Sequence, residues 1–228
     1  MVTHIDNVAT VYLKIYQKKI EERKPDIIVF GYKKVCNDIS LGSYIPMGNA
    51  DTVIQLMKDE AFNICAWDKA VKREILVNHN IEFKKGVYSE DMEWCARIFR
   101  YANSCAVIKR DGYAYRQRSN SISKNISKKN IKDIVDNYSI CLLQRENLSS
   151  EKLAVYDKYL AKNLSMLIIA MSMCTDSLDE NYGLFIKNNM KVLKSGRRRE
   201  KLIYKSIKIF GLNRTVFFLK KIKEIKNI

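Results

Sequence analysis

An α/β portion followed by a basic, all-helical portion is the fold class this sequence predicts, and three observations predict it. The run DIIVFGYKKV, at 26–35, is short, apolar and rich in β-branched and aromatic residues directly after Pro25, which is the pattern of a buried strand. The stretch CAVIKRDGYAYRQR, at 105–118, alternates apolar and polar residues about an Asp111-Gly112 hairpin signal. From about Ser127 onward almost no glycine or proline interrupts the chain, and apolar residues recur with the helical period. The division falls at residues 1–123 and 124–228.

Each element follows from its own pattern. VATVYLKIYQKKIEER places Val8, Val11, Tyr12, Ile15 and Ile20 near one face of a helix that Pro25 ends. After the strand, NDISLGSYIPMGN reads as loop. NADTVIQLMKDEAFN then opens a helix behind an Asn49 or Asp51 cap. AWDKAVKREILVNHN follows as a second helix, with Ala66, Ala70, Val71, Ile75 and Leu76 inward. IEFKKGVYSEDMEWCARIFRYA gives a short extended piece, a turn at Gly86, a Ser89 cap and a helix from about Glu90 to Tyr101.

Composition narrows the function classes. With 228 residues and 47% hydrophobic content the chain can bury a substantial core. Six cysteines lie scattered without a CxxC pair, as reduced core residues would. His4 and His79 are too few and too far apart for a histidine zinc site or a histidine-dependent triad. The amino terminus lacks the charged and apolar regions of a signal peptide. No segment reaches the ~20 apolar residues that span a bilayer, and NLSMLIIAMSMC at 163–174 reads as a buried helix. The expected location is the cytoplasm, with peripheral attachment to the inner face of the cell membrane.

The chemistry concentrates around GVYSEDMEW, at 86–94. Acidic residues Glu90, Asp91 and Glu93 behind Ser89 suit a helix start, where exposed N–H groups and the dipole favour negative charge. The same residues suit a second role. Glycosyl transfer onto a hydroxyl needs a carboxylate that accepts the proton as the oxygen attacks, and a helix start is a rigid platform for one. Upstream, Trp67 offers a flat apolar face to a sugar ring. Downstream, Arg116 and Arg118 precede a serine-rich loop, a combination suited to holding a diphosphate.

In the order KPDIIVFGY, AWDKAVKREIL, NIEFKKGVYSEDMEW and GYAYRQRSNSIS, residues from about Val8 to Ser123 resemble bacterial family 2 glycosyltransferases. These are inverting enzymes of the GT-A fold that build capsular and surface polysaccharides. The resemblance implies that Asp91 is the base that activates the acceptor, with Glu90 its acceptor-side or orienting neighbour. It places Trp67, Lys69 and Arg73 along the acceptor and Arg116, Arg118 and Ser121 over the donor diphosphate. The family's nucleotide-binding half, with the Asp-x-Asp motif that holds Mg²⁺ or Mn²⁺, has no counterpart before Val8. Asp6 alone cannot replace two or three oxygen ligands. The expected architecture is thus a truncated GT-A-like portion that carries no metal site of its own. Its strand at 26–35 should expose an edge unless a second copy, a separate amino-terminal half or the helical tail covers it.

Charge is uneven. Residues 1–123 carry 19 Lys/Arg against 15 Asp/Glu, and residues 124–228 carry 22 against 10. From 187 onward there are 14 Lys/Arg, with Glu200 and Glu224 the only acids. Basic and apolar positions alternate there at near-helical spacing, as in helices that lie on an anionic membrane surface. The same stripe could instead pack on the body of the protein with its charges simply solvated. Nucleic-acid binding is disfavoured, because no helix-turn-helix, zinc finger or aromatic-basic RNA motif accompanies the charge. The expected partners are a nucleotide sugar, a saccharide or lipid-linked acceptor, and an anionic inner membrane face. The alternative is a non-catalytic interaction protein or split-gene remnant with a membrane-binding tail.

Overall fold

The computed structural model describes residues 14, 16–36, 39–117, 126–176 and 179–226. They form two compact units. The first comprises the described residues within 1–82 and 97–119, the second those within 83–96 and 120–228.

The first unit is built on one strand. Strand β1, Ile27–Cys36, pairs along one edge with the parallel β4, Cys105–Arg116. Its other edge is shared by two antiparallel partners: β3, Lys69–Val71, takes Ile27 to Val29, and β2, Ile39–Tyr44, takes Tyr32 to Cys36. Both edges of β1 are therefore covered within this chain, contrary to the expectation of an exposed edge. Ile27, Ile28 and Val29 are buried in turn, so both faces of the strand are covered, as its continuous apolar run requires. Ile28, Ala106 and Ile108 form one layer with Phe30, whose ring meets Tyr16 edge-on from the helical residues 16–23. Asp26 fixes the strand's start: its carboxylate accepts from the N–H groups of Asn103 at 2.8 Å and Ser104 at 3.1 Å, and its own N–H donates to Ser104 Oγ at 3.0 Å.

Four local expectations are corrected. The loop at 37–49 contains β2, which is exposed along its length and therefore lacks the alternation that marks half-buried strands. The helix expected from NADTVIQLMKDEAFN is Val53–Lys58, labelled α1, and its cap is Thr52, whose hydroxyl accepts from Gln55 N–H at 3.2 Å, in place of Asn49 or Asp51. The long helix expected over 66–80 is three elements: a 3₁₀ turn at Ala66–Asp68, β3, and a short helix α2 at Arg73–Asn78. Ala70 pairs with Ile28 there and is exposed. Asp111-Gly112 turns no hairpin, because β4 continues through it with a shift of register against Gly31 and Tyr32. Phe30 packs so close to Gly112 that a Cβ there would lie 2.8 Å from its ring.

Helix α3, Glu90–Tyr101, begins in the second unit and ends in the first. The second unit is otherwise helical, as its composition predicts. Helices α4, Lys128–Arg145, and α5, Ser150–Met173, pack together, followed by α6, Glu180–Asn189, a 3₁₀ stretch at Met190–Ser195, and α7, Arg198–Lys226. Ser127 opens α4 with a capping box shared with Asn130, and Ser149 caps α5. Leu160, Leu164, Leu167 and Ile168 of α5 are fully buried, each contributing about 1.5–3 kcal/mol of transfer free energy. No helix among the described residues is long and apolar enough to cross a membrane.

Candidate functional site

The acidic start of α3 lies within the second unit. Glu93 is 1% exposed and turned inward, so Glu90 and Asp91, both half-buried, are the carboxylates of this turn within reach of solvent. The approach to them is unusual. Ser89 has φ of 60°, a left-handed conformation that β-carbon sterics disfavour in L-residues, whereas an ordinary N-cap is extended. Its carbonyl accepts from Met92 N–H at 3.2 Å. The expected Ser89 cap is corrected on this point: the residue starts the helix through its backbone.

Helix α4 holds that backbone in place. The Asn137 side chain, fully buried, donates to the carbonyls of Tyr88 and Ser89, each at 3.1 Å. One turn earlier, the Asp133 carboxylate accepts from Tyr88 N–H at 2.9 Å and from Lys129 Nζ at 2.7 Å, and Lys129 also reaches the Gly86 carbonyl at 2.9 Å. Burial works to raise the pKa of Asp133, but the hydrogen bonds from Lys129 and Tyr88 outweigh it and keep the carboxyl below its ordinary value. From α5, Tyr159 donates its hydroxyl to the Met92 carbonyl at 2.6 Å. Burial drives that phenol's pKa well up, so it remains a donor. Three consecutive α4 turns and one α5 residue thus fix the backbone immediately before and after Glu90-Asp91.

The remaining sequence-derived candidates fall in the first unit or outside the described residues. Trp67 stands half-buried among tyrosines, stacked on Tyr113 at 4.8 Å and Tyr115 at 5.0 Å and meeting Tyr32 edge-on at 4.8 Å. Tyr44 extends the group from β2, 5.3 Å from Tyr32. An aromatic platform results where a single tryptophan was expected. Lys69 is a correction. Its side chain is fully buried, and its ammonium donates to the carbonyls of Asn63 and Cys65 and pairs with Asp68. A group so committed holds the 3₁₀ turn together and is not presented to an acceptor. Arg73, at the start of α2, and Arg116, at the end of β4, are exposed. Arg118 and Ser121 lie outside the described residues. No group of three or more His, Cys, Asp or Glu among the described residues is placed to hold a metal ion.

Asn137, Asp133 and Lys129 were not found by sequence reading. Their i, i+4 spacing was legible, but their partners lie 43 to 49 positions away in a loop. Tyr113 and Tyr115 were visible as an alternating pair, and only the parallel pairing with β1 brings them to Trp67.

No family model matches the sequence, and no curated protein matches it. Solved structures do share its fold. The fragment 1–349 of S. aureus TarS matches with a TM-score of 0.61 and 16% identity, over 94% of this chain and 63% of that one. A longer S. aureus TarS structure matches with a TM-score of 0.55 and 14% identity, over 92% and 37% respectively. TarS is a glycosyltransferase. At this identity the likeness is one of fold, and the chain spans less than two thirds of either TarS chain.

Proposed function

We propose that this chain is the acceptor-side portion of an inverting, family 2 type GT-A glycosyltransferase, transferring a sugar from a nucleotide sugar to a saccharide or lipid-linked acceptor during surface or capsular polysaccharide synthesis. The observation that carries the reading is the half-exposed Asp91, held at a backbone-clamped helix start in a chain that shares the TarS fold. In this reading the acceptor hydroxyl gives its proton to the Asp91 carboxylate as its oxygen bonds to the anomeric carbon. The bond from that carbon to the diphosphate breaks in the same step, and the nucleoside diphosphate leaves with the electron pair. One displacement inverts the centre. Glu90 orients the acceptor, Trp67 with its tyrosines stacks a sugar ring, and Arg73 meets hydroxyls or an acceptor charge. Arg116, Arg118 and Ser121 close over the diphosphate.

The rigid backbone matters because a base is effective only when held within hydrogen-bond reach of the proton it removes. Mg²⁺ or Mn²⁺ belongs to the complete enzyme in this reading and would neutralise the diphosphate, and no step here is routed through it. The placement that accompanies the activity is cytoplasmic and peripheral, on the inner face of the cell membrane. A non-catalytic interaction protein is the second reading, favoured by the many cations and exposed apolar residues of α7.

The test is sugar transfer from a panel of UDP-sugars to saccharide acceptors by the complete enzyme, with and without Asp91→Asn, together with acceptor binding by this chain, folding being followed by circular dichroism. Loss of turnover in a folded Asp91→Asn protein is expected. Undiminished turnover by that variant removes Asp91 as the base, and failure of the wild-type chain to bind any saccharide acceptor supports the interaction reading.

A further inference from the structure

Helix α7 does not run straight. Gly211 leaves helical geometry with φ of 78° and ψ of 166°, a region essentially reserved for glycine, and divides α7 into two arms. The arms are tied back to one another. The hydroxyls of Ser206 and Thr215 lie 2.8 Å apart, Thr215 donates to the Gly211 carbonyl at 2.8 Å, and Phe210 meets Phe218 edge-on at 5.6 Å.

Beside this kink lies a cavity of ≈ 720 Å³, walled by Ile186, Met190, Ile207 and Leu212. Lys187, Lys191, Lys208 and Arg214 stand around it, and no carboxylate does. None of these four cations makes an ion pair among the described residues. Beyond the kink, Phe218, Ile222 and Ile225 recur at the i, i+4, i+7 spacing of one helix face and are 42%, 51% and 70% exposed. Lys220, Lys221 and Lys223 interrupt and flank that stripe.

We propose that the cavity at the Gly211 kink binds an anionic phospholipid of a bilayer, its acyl chain against the apolar wall and its phosphate among the four cations. The Phe218 to Ile225 stripe then lies in the membrane interface. Two independent features converge on this occupant. Unpaired cations around a wall of aliphatic side chains match a molecule that is anionic at one end and apolar at the other. An exposed apolar stripe between lysines matches the plane in which such molecules present themselves. Nucleic acid would engage the cations and leave the aliphatic wall and the stripe in water, and free phosphate would do the same. The inference does not rest on the glycosyltransferase reading, since the second unit alone carries it.

The experiment uses the whole chain. Sedimentation with phosphatidylcholine vesicles, with and without phosphatidylglycerol, measures surface binding. Titration with dihexanoyl-phosphatidylglycerol below its critical micelle concentration measures occupancy of the cavity, with inorganic phosphate as the control. Retention only on the anionic vesicles and saturable binding of the short-chain lipid are expected. Lys208→Glu with Arg214→Glu should weaken vesicle partitioning about tenfold or more. Gly183→Leu should block the short-chain lipid without altering helix content. A Cβ at Gly183 has Leu212 Cδ2 as its nearest neighbour at 3.9 Å, so the longer side chain extends into the cavity. Equal retention on neutral vesicles, phosphate binding as tight as lipid binding, indifference to Gly183→Leu, or preferential retention by single-stranded RNA would each overturn the proposal.

Discussion

The side-chain amide of Asn137 donates to the Ser89 carbonyl at 3.1 Å, across 48 residues of chain, and so steadies a left-handed residue directly before Glu90 and Asp91. The same amide nitrogen serves the Tyr88 carbonyl, so one buried group satisfies two acceptors. Asn137→Ala should lower unfolding free energy by about 1–3 kcal/mol, because two part-buried carbonyls lose their donor. Asn137→Asp should cost more, since it turns an acceptor towards acceptors. Urea denaturation of both variants measures this, and an Asp variant as stable as wild type would exclude the clamp.

Ser89 itself gives a prediction of sign. A serine acting as an ordinary extended N-cap loses a few tenths of a kcal/mol when changed to glycine. With φ of 60° the change should instead gain up to about 1 kcal/mol, because left-handed geometry penalises L-residues by about that much. Ser89→Val should lose about 1–3 kcal/mol, since a β-branched residue tolerates this region poorly. A melting temperature that falls in the glycine variant would restore the capping role.

Lys69 and Arg73 separate structure from binding. The Lys69–Asp68 pair is buried on both sides, so Lys69→Ala strands a carboxylate and should cost about 3–5 kcal/mol. Arg73 is exposed, and Arg73→Ala should stay within about 0.5 kcal/mol of wild type. An effect of Arg73→Ala on transfer would therefore appear in KM at unchanged stability. A Lys69→Ala protein of native stability with an altered KM would instead mean that the lysine meets the acceptor.

Acid should be the unfolding direction in which buried carboxylates matter. For Asp26, burial works to raise the pKa, but hydrogen bonds from Asn103 and Ser104 and the charge of Lys72 prevail and hold it below its ordinary value, as the Lys129 and Tyr88 bonds do for Asp133. A depressed folded-state pKa means the stabilisation is fully present above the unfolded value near 3.9 and is lost as pH falls through the folded one. Stability should thus owe nothing to these groups' titration between about pH 5 and 8 and should decline below about pH 4. Asp133→Asn should be less stable at neutral pH and show a flatter acid limb. An unchanged acid limb in that variant would assign the decline elsewhere.

The parts of the molecule legible in the sequence are those whose patterns are self-contained. Ile27 to Phe30 announced a strand because both faces are buried, and the carboxy-terminal helices announced themselves by period and composition. The segment Ala66 to Val71 did not, because its apolar spacing fits a helix and only pairing with Ile27 to Val29 draws it into a strand. Lys69 looked like a free cation for the same reason: its burial is set by the carbonyls of Asn63 and Cys65, which no periodicity reveals. Glu90 and Asp91 were legible as a pair at a helix start. The clamp from Asp133 and Asn137 was not, because it depends on contacts between distant segments. Thr52 could have been found, since a Thr three residues before Gln55 is half of a capping box.

Trp67 supplies a spectroscopic test of the acceptor assignment. The chain has two tryptophans, and the other, Trp94, is buried against Phe83 at 4.6 Å. A Trp94→Phe variant leaves Trp67 as the sole indole, half-buried in a platform whose tyrosines already stack on it. A saccharide ring that joins that platform excludes water from the indole, so its emission should shift to the blue and saturate with acceptor concentration. Trp67→Ala should weaken the same binding about tenfold, equivalent to about 1.4 kcal/mol. That loss would be measured by calorimetry because the reporter is gone. If emission is indifferent to every saccharide offered and calorimetry gives equal affinities for wild type and Trp67→Ala, the aromatic platform serves packing of β1 against β4 and takes no part in acceptor recognition.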